Sequence, residues 1–551
     1  MAKKSSTGAL TPEQHAAQDA IYEQRHQYDY LFIGAGHSAL VAASLLANAG
    51  KKVCVLEYHD KPGGYAHTFE MQGFKFCAQI HYIWGAAPGG AIHGVLKKLG
   101  LDKEITFEAF DLDGFDVIRM PDGTRVQLAN GFDKTLENID SAYPGNREGL
   151  VKFFDLMKKL REEFPKFPKQ ATPLNILKNA WKVRHIIKYR NATLQDLFDE
   201  FKLLPEHQAI LGGFLGDLAS PPDEISIFPY VGLYGGYNTG AYAATNHFES
   251  YIDGLANAIT RNDGCHIFYE TEVTKINEAD GRIESVETHN GKKFTADTIV
   301  CNMDPQAAAK LIGMDKFPEA QKKLLSYEYT PSAMTIYLGL KDIDLTKHGF
   351  GNFNIWHLED IDLNKTWREQ GKGNYDKIWM FLSTPLLHGG DDSHAPEGAS
   401  VLEVATLANF DFFEPLNESN YGEYVKLKMK YTNKIIEKIE RDYIPDLKKH
   451  IVVKTIGTPT TNRDYAHAPK GNVYGSLMTP ANLTNRLSKD SPFENFYWCN
   501  ASSGYAGMAG TAYTGMRFYE DMTGDNVITE EDKKLTDDDV IKALYEKWGN
   551  K

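Results

Sequence analysis

The stretch from Tyr28 to Phe69, YDYLFIGAGHSALVAASLLANAGKKVCVLEYHDKPGGYAHTF, constrains this chain more than any other. Its Tyr30 to Ile33 run is short and apolar and stops abruptly at Gly34, Ala35 and Gly36, as a buried parallel strand does on entering a tight turn. Gly34 permits the turn, and Gly36 leaves backbone amides open to a pyrophosphate. Ala39 stands where a third glycine is usual, small enough for close packing of helix on strand. From Ser38 to Ala49 the residues are small or apolar with good helix propensity, so a helix is expected to start at the turn, positive end toward the phosphates, and to stop at Gly50. Lys52 to Leu56 reads as the next strand. Glu57 follows at its carboxyl end, where an acid binds ribose hydroxyls. Strand, glycine turn, helix and acid in this order point to a dinucleotide site, against the plainer reading of an ordinary βαβ unit.

After Glu57 comes a second glycine pair, Gly63 and Gly64, which suits a further backbone approach to phosphate or flavin. The run from Phe32 to Thr68, with its E-x5-GG tail at Glu57, Gly63 and Gly64, resembles flavoproteins of the phytoene desaturase, carotenoid isomerase and retinol saturase group. That group shares a fold with the amine oxidases and the Rab GDP-dissociation inhibitors. The resemblance implies FAD as cofactor and an α/β fold: a discontinuous, Rossmann-like FAD-binding domain of the glutathione-reductase type with an inserted α+β substrate domain. It carries over Gly34, Gly36, Ser38, Ala39, Glu57, Gly63, Gly64 and Thr68 as cofactor-binding positions. Tyr65 departs from it, since many relatives have a basic residue there. The expected order is an N-terminal arm (1–27), FAD-binding parts at 28–104, 245–305 and 463–525, substrate-domain parts at 105–244 and 306–462, and a polar tail (526–551).

Composition narrows the field. At 551 residues and 42% hydrophobic, the chain has room for two or three domains with a sizeable core. Its 74 acidic against 60 basic residues, a net charge of −14, oppose binding to nucleic acid. The five cysteines (54, 77, 265, 301 and 499) are scattered and never spaced as CxxC, which suggests neither a disulfide framework nor a zinc site. The N-terminus has no apolar signal core and no segment is apolar enough to span a bilayer, so a cytoplasmic protein, soluble or peripherally membrane-associated, is expected.

Further along, residues 71–90 crowd aromatics and glycines together, and the resemblance places this segment near the isoalloxazine ring. His81, Tyr82 and Trp84 are the candidates there for flavin or substrate contact, with ordinary aromatic packing as the alternative. Between Lys166 and Arg190 seven basic residues occur without an acid, and one helix over 173–190 would put Leu177 and Trp181 on one face and Lys178, Lys182 and His185 on another. Such a helix suits an anionic membrane surface, or a solvated charged face. The glycines of 211–242 follow no strand-turn-helix pattern. Lacking a second GxGxxG unit, the chain is expected to exchange electrons with substrate, quinone, oxygen or another protein rather than with NADPH. Within residues 306–462 the histidines 348, 357, 388 and 394 lack metal-ligand spacing, and no metal site is expected.

The resemblance resumes at Thr271 to Val273, where Val273 would contact adenine through its backbone, at Val300 to Pro305, and at Phe496 to Met516. In the last, a strand runs into Gly504, Gly507 and Gly510 and then a helix, and Ser502, Gly507 and Met508 are carried over as flavin contacts. Such a helix start stabilises negative charge on a reduced ring. Residues 521–532 resemble a degraded calcium loop, with Asn526 where the glycine belongs, but a helix C-terminus followed by a polar tail is the favoured reading. The group acts on carbon–carbon bonds of polyene lipids by desaturation, saturation or cis-trans isomerisation. It implies an apolar lipid substrate, hydride exchange at flavin N5, and His81 or Tyr82 as the acid or base. A flavin amine oxidase and a non-catalytic binding protein of the GDP-dissociation-inhibitor type are the alternatives.

Overall fold

The computed structural model describes residues 9–168, 173–389 and 394–549. Tyr28–Ile33 is the middle strand of a five-stranded, wholly parallel sheet, ordered Phe496–Trp498, Ala296–Cys301, Tyr28–Ile33, Val53–Leu56, His266–Phe268. Both faces of this sheet are covered, which is why its strands read as unbroken apolar runs: Leu31, Phe32, Val55, Val300 and Cys301 are all sealed. The five cysteines are buried and unpaired, and act as small core residues. The helices His37–Asn48 and Gly507–Thr523 cross so closely that a side chain at Gly515 would stand 2.4 Å from the Ser38 carbonyl.

The second sheet has seven strands in the order Ile451–Gly457, Ser332–Lys341, Ala399–Ala408, Trp379–Ser383, Asn354–Leu358, Asp116–Arg119, Arg125–Leu128. All its pairings are antiparallel except Asn354–Leu358 against Asp116–Arg119. Side chains alternate across it as the strand pleat requires. Val117, Ile355, Met380 and Leu382 meet Ile435, Ile436 and Ile439 of the long helix Tyr421–Asp442. On the opposite face Ile118, Trp356, Trp379 and Phe381 join an aromatic core with Phe153, Tyr230 and Tyr234 from the helices Arg147–Glu163 and Ile227–Asn238.

One expectation is corrected, that of a single basic helix, and the two ends of the chain take the short helices that their sequences suggest. The segment 173–190 is two short helices, Pro173–Asn179 and Arg184–Lys188, rather than one. Glu163 causes the break: its carboxylate accepts the backbone N–H groups of His185 (3.0 Å) and Ile186 (3.1 Å) and so starts a new helix. Its other oxygen meets His185 Nδ1 at 2.6 Å, which takes His185 out of any free basic face. Lys169, counted in the basic run, lies outside the described residues. The polar tail folds: helix Asp537–Trp548 buries Leu544, and the Trp548 indole donates to Glu108 at 3.2 Å. The N-terminal arm is a helix, Pro12–Glu23, capped by Thr11 and tied to Tyr269 through both ends of the Gln18 amide (2.6 and 3.3 Å). Finally, in the calcium-like stretch Asp525 meets Lys98 (2.8 Å) and Asp532 meets Lys97 (3.2 Å), so lysines already serve those carboxylates.

Candidate functional site

The glycine turn forms as its sequence requires. Gly34 has φ +98°, a conformation that a side chain resists, and its N–H donates to the Leu56 carbonyl at 2.8 Å. No side chain caps the helix His37–Asn48, so its first amides stay free for an anionic group. Glu57 lies at the end of its strand, accepting from Ala35 N–H (2.6 Å) and His59 N–H (2.7 Å). Burial pushes its carboxyl up, and those amides pull it back down. Gly63, at φ +110°, and Gly64 fold back onto this turn: Gly63 N–H donates to the Ala35 carbonyl at 2.8 Å, and a side chain on Gly64 would lie 3.6 Å from the Gly36 Cα. The two glycine motifs are thus one surface.

The far end of the chain completes it. Asn302, just past the strand Ala296–Cys301, accepts the Gly36 N–H (2.9 Å) and donates to Ser38 Oγ (2.9 Å) and the Cys499 carbonyl (2.6 Å). His37 bonds Tyr251 (2.8 Å) and Thr511 (2.8 Å), and burial holds its imidazole down to about 3, neutral at physiological pH. The helix Gly507–Thr523 also starts without a side-chain cap; Gly507 at its start faces open space, and Met508 is buried behind it. Ala39 is sealed beneath the turn.

Other carried-over positions sit differently. Ser502 spends its hydroxyl on the Ser476 N–H (3.1 Å), and Thr68 bonds His247 Nδ1 (3.0 Å), so both lock segments together. Val273 begins a strand two residues past Thr271, whose N–H donates to the Glu57 carbonyl (2.7 Å). Tyr65 reaches the Asn472 carbonyl at 2.6 Å and ties the glycine pair to the loop beneath the second sheet.

His81 and Tyr82 send their side chains into two separate polar clusters. His81 Nδ1 lies 2.6 Å from Glu403 Oε2, on the strand Ala399–Ala408. It borders a cavity of about 20 Å³, room for one water, that His247 and His388 also line. Tyr82 stacks on Tyr237 at 4.3 Å, and its hydroxyl lies 2.9 Å from Asp116 and 2.8 Å from Asp217. Around both stand Phe110, Trp356 and Phe381. Trp84 turns away, its indole laid on the backbone of Gly236, where a side chain would clash with it. The segment nevertheless borders the cradle, because a side chain at Gly85 would come 3.5 Å from Ala509 in the helix Gly507–Thr523.

Sequence reasoning missed His37, Asn302, Asp116, Asp217 and Glu403. The one available signal was the polar Asn302 at the end of an otherwise apolar strand. It also missed the convergence of His357, Glu359 and Asp442 within 4.8 Å, the spacing of potential metal ligands. There Lys438 (2.5 Å) and Arg441 (2.5 Å) already bond Glu359, and Arg119 and Arg441 flank Asp442, so the cluster is charge-balanced without an ion.

Residues 39–518 match the family model for flavin-containing amine oxidoreductases. The all-trans-retinol 13,14-reductase of Danio rerio is 26% identical over 88% of this chain and 84% of its own. Prolycopene isomerase 1 of an Oncidium hybrid is 25% identical over 83% of this chain and 76% of its own. Among solved structures, an oxidoreductase from Methanosarcina mazei superimposes with a TM-score of 0.63 at 16% identity, covering 89% of this chain and 99% of that one.

Proposed function

The chain belongs to the family of flavin-containing amine oxidoreductases and its cofactor is FAD, and from that premise we propose that it acts on carbon–carbon double bonds of a long apolar polyene. The residues present suit the cofactor. Side chains at Gly36 and Gly63 would clash with their neighbours, Gly34, Gly63 and Gly64 have the positive φ that side chains resist, two uncapped helix starts border the glycine surface, and a strand-end carboxylate stands beside it. Gly34, Gly36, Gly63, Gly64, Glu57, Gly507 and the backbone near Val273 are the groups that would hold FAD. When bound, FAD accepts or donates a hydride.

The observation that carries the reading is the likeness to relatives named all-trans-retinol 13,14-reductase and prolycopene isomerase, with which a buried aromatic cluster around His81 and Tyr82 agrees. Tyr82, Phe110, Tyr237, Trp356 and Phe381 are buried and pack on one another, with the His81–Glu403 and Tyr82–carboxyl contacts as polar clusters beside them. Aromatic walls orient an apolar chain and exclude water, while His81 and Tyr82 lead to groups that hold or take a proton. An amine oxidase would use a lysine beside the flavin. Among the described residues Lys438 is the buried lysine, and it is spent on Glu359 and the Asp376 carbonyl. Redox-neutral isomerisation on reduced FAD is the second reading, supported by the relative named prolycopene isomerase. Incubation of the holoenzyme with retinoids, carotenoids and amines, followed by chromatography and mass analysis, separates these readings. A gain or loss of two hydrogens means saturation or desaturation, and an unchanged mass with a shifted retention time means isomerisation. Amine oxidation alone contradicts the proposal.

No helix among the described residues is long and apolar enough to cross a membrane. We propose that such a lipid reaches the protein at an anionic bilayer surface through the turn between the helices Pro173–Asn179 and Arg184–Lys188. There Leu177 and Trp181 are 73% and 76% exposed, flanked by exposed Lys178, Lys182 and Arg184. Large apolar side chains ringed by cations fit that surface. Trp181→Glu together with Lys178→Glu and Lys182→Glu is expected to abolish co-sedimentation with phosphatidylserine vesicles, and undiminished binding would refute it.

A further inference from the structure

Tyr82 has one hydroxyl hydrogen and two carboxyl groups within reach of it. Asp116 Oδ2, on the strand Asp116–Arg119, is 2.9 Å away, and Asp217 Oδ2 is 2.8 Å away. The hydrogen serves one of them. The other contact closes only if a proton sits on a carboxyl.

The surroundings supply donors but no charge. The Trp356 indole N–H donates to Asp116 at 3.1 Å, and the Tyr237 hydroxyl donates to Asp217 at 3.3 Å. Asn354 stands beside Asp116, Tyr234 and Tyr474 complete the surround, and His81, the nearest imidazole, is bonded to Glu403. Among the described residues neither carboxyl pairs with a lysine or arginine. Two carboxylates so placed repel each other and lose hydration, so one proton is retained by the pair. Consistent with this, burial pushes Asp217 up to about 6 and Asp116 well above the usual carboxyl range.

The members differ in access. Asp116 is 0% exposed, whereas Asp217 keeps a partly exposed edge. Next to it Gly216 lies against the Trp356 ring, where a side chain would stand 2.4 Å away.

We propose that Asp217 is the residue that exchanges a proton with the polyene, and that the pair's one proton rests on Asp116 and reaches Asp217 through the Tyr82 hydroxyl. The inference rests on the polyene reading of the site. In saturation the Asp217 carboxyl proton forms the new C–H bond at one carbon of the double bond, while the other carbon receives hydride and its electron pair, FAD's share of the reaction. Asp217 receives that proton from the Tyr82 hydroxyl as Tyr82 takes the one on Asp116, and after its transfer to carbon the two carboxylates take up one proton from solvent at the partly exposed edge of Asp217. Desaturation runs in reverse, with the departing C–H proton passing to the Asp217 carboxylate.

The test joins infrared spectra of the holoenzyme in H2O and D2O to steady-state kinetics. A protonated-carboxyl stretch that shifts in D2O is expected in the wild type and is expected to be lost in Asp116→Asn. Asp217→Asn is expected to lower kcat by about 10²–10⁴-fold, the usual worth of a general acid or base, with KM little changed and the solvent isotope effect abolished. A wild-type spectrum without that band removes the shared proton whatever the substrate is, and this readout survives even if Asp116→Asn fails to fold. Wild-type turnover in Asp217→Asn removes its role. A wild type that shows the band yet reacts with no polyene overturns the functional reading instead, and with it the destination of the proton.

Discussion

Asn302 does at one position what no local motif does, joining the first glycine turn to the last strand. Its amide serves Gly36, Ser38 and Cys499, the first of these 266 residues away in sequence. Asn302→Ala leaves the Gly36 N–H without its partner, at about 1–3 kcal/mol, while the Cys499 carbonyl keeps the Ser38 hydroxyl as donor. A lower melting temperature and a lower ratio of flavin absorbance to protein are expected; unchanged values of both would contradict the assignment. Gly36→Ala attacks the same joint from the other side, because its methyl group would stand 2.4 Å from Asn302 Oδ1. The glycines and Glu57 were legible in the sequence, since a tight turn and a strand-end acid leave a local signature. Asn302, Asp116 and Asp217 were not. What they do depends on partners contributed by remote segments, and no spacing rule records those.

At the scale of elements, the apolar and amphipathic patterns located most strands and helices, and what they missed has a common cause. The segment 173–190 has the composition of one helix, yet Glu163, from the preceding helix, caps a second start at His185 and divides it. The last helix reads from its sequence as a short acidic one, but its docking depends on remote partners: Leu544 is its one buried side chain, and Tyr545 and Trp548 dock by their polar edges. Leu544→Ala is expected to cost about 2–5 kcal/mol, as removal of a core leucine does. Urea unfolding measures it, and a midpoint equal to wild type would mean that the helix is an appendage after all.

Across the whole molecule, each sheet is assembled from segments far apart in the chain. Several histidines are buried neutral at these junctions. Burial holds His37, His247 and His388 down to about 3 and His67 and His357 to about 4, against an ordinary value of 6.5. Between those values the unfolded chain binds more protons than the folded one. Stability is therefore expected to fall as pH drops from about 6.5 toward 3, and to be undiminished by this cause above 6.5. Unfolding free energies measured across that range check it. His388→Gln is expected to flatten the slope, and a slope equal to wild type would contradict the account.

The central claim is that this flavin site works on conjugated carbon chains. Anaerobic mixing of photoreduced holoenzyme with all-trans-retinol or a cis-carotenoid, followed by flavin absorbance in a stopped-flow instrument, tests it most directly. The account predicts either reoxidation of the flavin in step with loss of one double bond, or a changed polyene geometry while the flavin stays reduced. Reduced flavin that persists beside unaltered polyenes, and reoxidises only in oxygen, would contradict it.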